Sequence, residues 1–199
     1  MKKILVIFLA VFLITACSKQ TSDSTPEDLT YAEAMEKGIT AFESSDYQDA
    51  VSKFNSALEQ NADSALVYTW LGWASFKADI LNDANTFFST GSSKINPDVD
   101  LYAGHSFVLN ALKEYSESNS IIDTFYSALD DSVWSFNYGL DIGLNHIYLL
   151  SAQNYFALGD YSESLDWVQV VDPEFSVNVN TTEGLADLAD KIEELINSL

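Results

Sequence analysis

The chain has 199 residues, 47% of them hydrophobic, and carries 30 acidic against 9 basic residues for a net charge of −21. That apolar content supports a buried core and excludes wholesale disorder. All the basic residues are lysine, so no Lys/Arg cluster exists to displace counterions from phosphates, and neither nucleic acid nor a polybasic hold on a membrane surface is expected. A single cysteine, Cys17, excludes an internal disulfide and a multi-cysteine metal site.

At the N-terminus, Lys2 and Lys3 precede an uncharged apolar run from Ile4 to Ile14, followed by small residues. This is the layout of a secretory signal peptide, and the run is shorter than the roughly 20 residues a bilayer-spanning helix needs. Ile14-Thr15-Ala16-Cys17 resembles a bacterial lipobox. The resemblance implies cleavage before Cys17, lipid attachment to its thiol, and a membrane anchor of more than one acyl chain, which holds stably where a single chain does not. Ser18 in place of Asp favours the outer membrane of a Gram-negative cell. The division expected is a lipoprotein signal peptide over 1–16, the lipidated Cys17 with a polar, flexible tether over 17–30, and a folded part over 31–199.

Beyond the tether the sequence repeats. Ser45-Asp46-Tyr47, Lys113-Glu114-Tyr115 and Gly159-Asp160-Tyr161 are matching corners; the first two are two 34-residue periods apart, and the third follows after one period plus 12 residues. Small residues recur at Gly38, Gly72, Ser106 and Ala152 and again at Ala50, Ala84, Ser118 and Ser164, with large apolar residues at Phe54, Phe88, Ile122 and Val168. This pattern resembles the tetratricopeptide repeat (TPR), a helix–turn–helix unit of that period. The resemblance implies an all-α, TPR-type solenoid of about four units near 31–64, 65–98, 99–132 and 145–178. The small residues would let paired helices approach, and the large ones would fill the space between units. Phe125 and Val171 depart from the pattern, standing where units one and two have Ala57 and Gly91.

The insertion at 133–144 places Trp134, Phe136, Tyr138, Leu140, Ile142 and Leu144 at alternate positions. Period two predicts an extended segment with one apolar side, either lying across the solenoid or standing out as a functional loop, with partial extension of the helix that begins near Asn145 as a further alternative. From Glu183 to Leu199, Leu185, Leu188, Ile192, Leu195, Ile196 and Leu199 form one stripe with acids opposite. This is an amphipathic helix, and an open solenoid end needs such a cap.

TPR proteins resemble one another in binding peptides on the concave face lined by each unit's first helix. Carried over by repeat position, this implies a groove of Met35, Ile39 and Phe42 from unit one, Trp73, Phe76 and Lys77 from unit two, Phe107 and Asn110 from unit three, and His146, Gln153 and Phe156 from unit four. Phe42, Phe76, Asn110 and Phe156 share one repeat position. Rigid aromatics there would either grip a ligand or serve as core. TPR domains that clamp a chaperone C-terminal carboxylate use Lys, Asn and Arg on this face. With Lys77 and Asn110 but no arginine, an apolar or basic segment is the better fit here.

No chemistry stands out. His105 occupies a position where the family carries Leu and is expected between helices, and no metal-ligand spacing, nucleophile elbow or phosphate loop occurs. Asp98, Asp100, Asp130 and Asp131 read as turn acids. No catalytic residue, metal or cofactor is expected. The resulting expectation is a membrane-anchored scaffold or adaptor, not an enzyme, that binds a protein or peptide segment in the cell envelope, with a role in envelope or outer-membrane assembly. A glycan- or nutrient-binding lipoprotein using the groove aromatics is the alternative, and a carboxylate-based hydrolase the remote one.

Overall fold

A computed structural model describes residues 29–130 and 133–199. The signal peptide, the lipid-attachment site at Cys17 and residues 17–28 of the tether lie outside the described residues, as do Asp131 and Ser132. The described chain folds as helix pairs: α1 (Tyr31–Glu43) with α2 (Tyr47–Gln60), α3 (Ala65–Lys77) with α4 (Leu81–Ser92), α5 (Val99–Ala111) with α6 (Tyr115–Ala128), and α7 (Leu144–Leu158) with α8 (Tyr161–Val171). A short hairpin of β1 (Ser135–Phe136) and β2 (Ile142–Gly143) precedes α7, and α9 (Thr182–Asn197) ends the chain. Each pair packs on the next, so the architecture is an all-α solenoid. Leu29 and Thr30, grouped with the tether by sequence, belong to the fold. Leu29 is buried, and Thr30 caps α1 while Glu33 reaches back to its backbone N–H at 3.0 Å.

The 34-residue period is written into the backbone. Ser45, Asp79 and Lys113 all adopt φ between 62° and 66°, and Gly159 adopts 83°. They occupy the same corner of successive units, ending the first helix in the left-handed conformation. The next N–H then bonds five residues back, as from Asp46 to Ala41 (2.9 Å), Ile80 to Ser75 (2.8 Å), Glu114 to Leu109 (2.8 Å) and Asp160 to Tyr155 (2.9 Å).

The small residues do what their positions require. A Cβ on Gly38 would lie 2.4 Å from the Phe54 ring, and one on Gly72 would lie 2.5 Å from Phe88. Both rings are fully buried. Gly72→Ala is therefore expected to destabilise by about 1–3 kcal/mol through overpacking, checked by urea denaturation. A loss under a few tenths of a kcal/mol would mean that Phe88 has room to move. In units three and four the second small position is serine, and both serines add the same hydrogen bond. Ser118 Oγ donates to Ser106 O and Ser164 Oγ to Ala152 O, each at 2.8 Å.

The C-terminal helix is reversed relative to a further repeat. Leu199 lies with Leu144–His146 at the start of α7, whereas Ala189, Ile192 and Ile196 line a cleft with Gln153–Ala157 toward its end. So α9 runs antiparallel to α7. Its Leu188 and Ile192 bury against Ala152 and Val168. The turn before it is held by Lys191, whose Nζ is 2.8 Å from Asp172 Oδ2, and by Gln169 Nε2 donating to Phe175 O at 2.8 Å.

Candidate ligand-binding groove

The first helices α1, α3, α5 and α7 line the inner face. Over the first three units that face is already occupied by the chain's own hairpin. Phe136, 1% exposed, stacks on Trp73 with centroids 4.4 Å apart and planes at 18°. It also meets Phe42 edge-on at 6.0 Å and Trp70 at 5.8 Å. Tyr138 caps Trp70 edge-on at 4.7 Å. Trp134 packs against Phe125 at 5.1 Å, which accounts for a large ring at a position that is small in units one and two. The hairpin tip comes down beside Glu43: a Cβ on Gly139, at φ 71°, would lie 3.1 Å from the Glu43 carbonyl oxygen.

Two indoles are tied to one residue. Trp134 Nε1 donates to Asp100 Oδ1 at 2.7 Å, and Trp73 Nε1 donates to the Asp100 carbonyl at 3.0 Å. Asp98 caps α5 through the Leu101 N–H at 2.8 Å and accepts from Thr69 Oγ1 at 3.1 Å. Burial pushes both carboxyls above the ordinary aspartate range. These two acids, which read as surface turns in the sequence, instead fix helix and hairpin.

The expected groove therefore divides. Phe42 and Trp73, expected to touch a ligand, are 1% and 0% exposed, and Met35 is buried as well. For these three the expectation is corrected: the alternating aromatics of the insertion fill the space in front of Phe42 and Trp73, making both rings core, and Met35 belongs to the same cluster. Ile39, Phe76 and Phe107 are half-buried against that cluster. Lys77 is exposed, with its ammonium 5.9 Å from the Tyr47 ring centroid. His146 is half-buried and folds back on the chain, its Nδ1 accepting the Gly143 N–H at 3.1 Å at the start of α7.

Asn110, Gln153 and Phe156 come together elsewhere. With Tyr115 and the α9 residues Ala189, Ile192, Glu193 and Ile196 they line an open cleft of about 430 Å³ between α5, α7 and α9. Its floor is apolar, its walls carry two side-chain amides, and Glu193 is its one charged lining residue. The floor is held by a buried residue that sequence reasoning missed. Asn154, 0% exposed, accepts from Asn110 Nδ2 at 2.7 Å and donates to Ser118 Oγ and Asn119 Oδ1, each at 2.8 Å. The network satisfies the Asn154 amide across units three and four. Its place two residues after buried Ala152, among the inward positions of α7, was the signal that could have found it.

His105 is packed between helices, 7% exposed and stacked on Phe88 at 5.9 Å. Its Nε2 donates to Asn85 Oδ1 at 2.8 Å, which leaves Nδ1 as a buried bare acceptor. Burial lowers its pKa to about 4. Among the described residues no group of three or more His, Cys, Asp or Glu is placed to hold a metal ion, and no helix is long and apolar enough to cross a membrane.

This architecture recurs in solved structures. YrrB, described as a TPR protein with an unusual peptide-binding site, is similar at a TM-score of 0.61 and 13% identity, over 82% of this chain and 84% of that one. MamA MSR-1 is similar at 0.60 and 14% identity, over 84% and 97%. A tetratricopeptide-repeat protein from Parabacteroides merdae is similar at 0.53 and 17% identity, over 82% and 58%. No protein-family model matches the sequence, and no curated protein matches it. The fold is thus the TPR-type helical solenoid.

Proposed function

We propose that the chain is a lipid-tethered adaptor of a bacterial cell envelope that grips a protein segment in the cleft between α5, α7 and α9. The observation that carries this reading is the cleft itself. It lies beside first-helix positions that the hairpin does not cover, and three residues singled out by repeat position, Asn110, Gln153 and Phe156, converge there. The apolar lining of Phe156, Ile192 and Ile196 suits aliphatic side chains, and the Asn110 and Gln153 amides offer donors and acceptors to a peptide backbone. Glu193 and the net charge of −21 favour a segment carrying lysine or arginine. The peptide-binding site named for the structurally similar YrrB supports the same class of ligand.

The test is affinity capture from native envelope extract with residues 18–199, beside a Phe156→Ala/Ile196→Ala variant. One identified protein, retained by wild type and lost by a variant with wild-type circular dichroism, is the expected result. Equal retention by both would move binding off the cleft.

The anchor has its own test. In a Gram-negative host, Cys17→Ser is expected to move the protein from the membrane pellet to the soluble periplasmic fraction, with loss of the acyl mass on Cys17. A Cys17→Ser protein still in the pellet would remove the lipid from this reading.

A further inference from the structure

The aromatic groove of units one to three holds a hairpin whose first strand and tip turn one side inward, as it would hold a ligand in trans. Trp134, Phe136 and Tyr138 point into it at alternate residues. Little else fixes that segment. Its two strands pair over only two residues each, and a two-stranded hairpin is marginal in water on its own. Among the described residues, side-chain hydrogen bonds tie it to the helices at its two ends, from Trp134 to Asp100 and from the Gly143 N–H to His146 Nδ1. Tyr138 at the tip is 39% exposed and Val133 at the entry 78%. Ring stacking in the groove, rather than the hairpin's own ladder, holds it in place.

We propose that this groove is a second binding site, for an extended segment with aromatic residues at every second position, and that hairpin 133–143 is its built-in competitor. Charge selects further among such segments. Between 133 and 144 the resident segment carries one charge, Asp141, which is acidic like the chain as a whole at net charge −21. A strand of the same aromatic pattern flanked by lysine or arginine gains attraction that the resident one lacks. When the competitor is fractionally displaced, apparent affinity falls by the fraction of open groove, so the hairpin sets the threshold for binding. The site is independent of the α5–α7–α9 cleft and shares no residue with its lining, so either can fail without the other.

The test uses a synthetic peptide of residues 133–144 with two lysines added at each end, and a control in which its Trp, Phe and Tyr are serine. The proteins are the full folded chain and a variant whose residues 134–142 are replaced by a Gly/Ser linker, with Trp134→Ser/Phe136→Ser standing in if the linker variant loses helical circular dichroism. The aromatic peptide is expected to bind the opened variant about tenfold or more tightly than wild type and to shift Trp70 and Trp73 emission to the blue. The serine control should bind neither. At saturating aromatic peptide, amide exchange across 135–143 of wild type is expected to accelerate. Equal binding of both peptides to the opened variant, or no binding of either, overturns the proposal, as does unchanged exchange in wild type at saturation.

Discussion

Phe136→Ala is expected to cost about 3 kcal/mol of unfolding free energy, at the low end for a buried phenylalanine because part of the lost volume opens to solvent. The ring is 1% exposed and contacts Trp73, Trp70 and Phe42. Its removal takes away the wedge that holds hairpin to helices, and water reaches two indoles that are otherwise 0% and 4% exposed. Denaturation in urea should therefore show the stability loss together with a red shift of native-state tryptophan emission. A cost below about 1 kcal/mol with unchanged emission would mean that the hairpin contributes little to the inner face.

The second large effect is a dependence of stability on pH that comes from one buried imidazole. His105 ionises at about 4 in the folded chain against 6.5 ordinarily, because burial disfavours its charged form. The unfolded chain then binds a proton that the native chain refuses. The stability is complete above pH 6.5 and is lost as pH falls from there toward 4, by at most roughly 3 kcal/mol. His105→Leu places the residue usual for this repeat position and is expected to flatten the curve over that window. Asp98 and Asp100 act with the opposite sign. Burial raises their folded values, so their ionisation costs stability as pH rises through the carboxylate range, and the cost is relieved in acid. Denaturation midpoints at pH 7, 5.5 and 4.5 for wild type and His105→Leu separate the two. Parallel curves would show that His105 is not the source.

What the sequence disclosed and what it concealed have physical causes. The repeat was legible because every unit needs the same corner: a left-handed residue at 45, 79, 113 and 159, then small residues where helices touch. The stripe of α9 was legible for the same reason, since burying one face of a helix leaves a period of about 3.6. Its direction was not, because the intervening segment sets it through Lys191–Asp172 and Gln169–Phe175, contacts with no local signature. The alternation over 133–144 announced an extended segment but not its resting place. The partners of Trp134 and Phe136, namely Asp100, Phe125 and Trp73, are close in space and distant in sequence. For that reason Phe42 and Trp73 could be read equally as groove or as core. Asp98 and Asp100 hid in the same way, since a turn acid and a carboxylate accepting an indole N–H look alike in one sequence.

The most direct test of the central claim, that the ligand enters by the α5–α7–α9 cleft, is photo-crosslinking in intact cells. A photoreactive residue is placed singly at Gln153 in the cleft, at Lys77 beside the hairpin-filled groove, and at Asp83 on α4, all three exposed. The proposed function predicts one discrete adduct at Gln153 that disappears with Phe156→Ala, and none at Asp83. An adduct at Lys77 or Asp83 with nothing at Gln153 would contradict it.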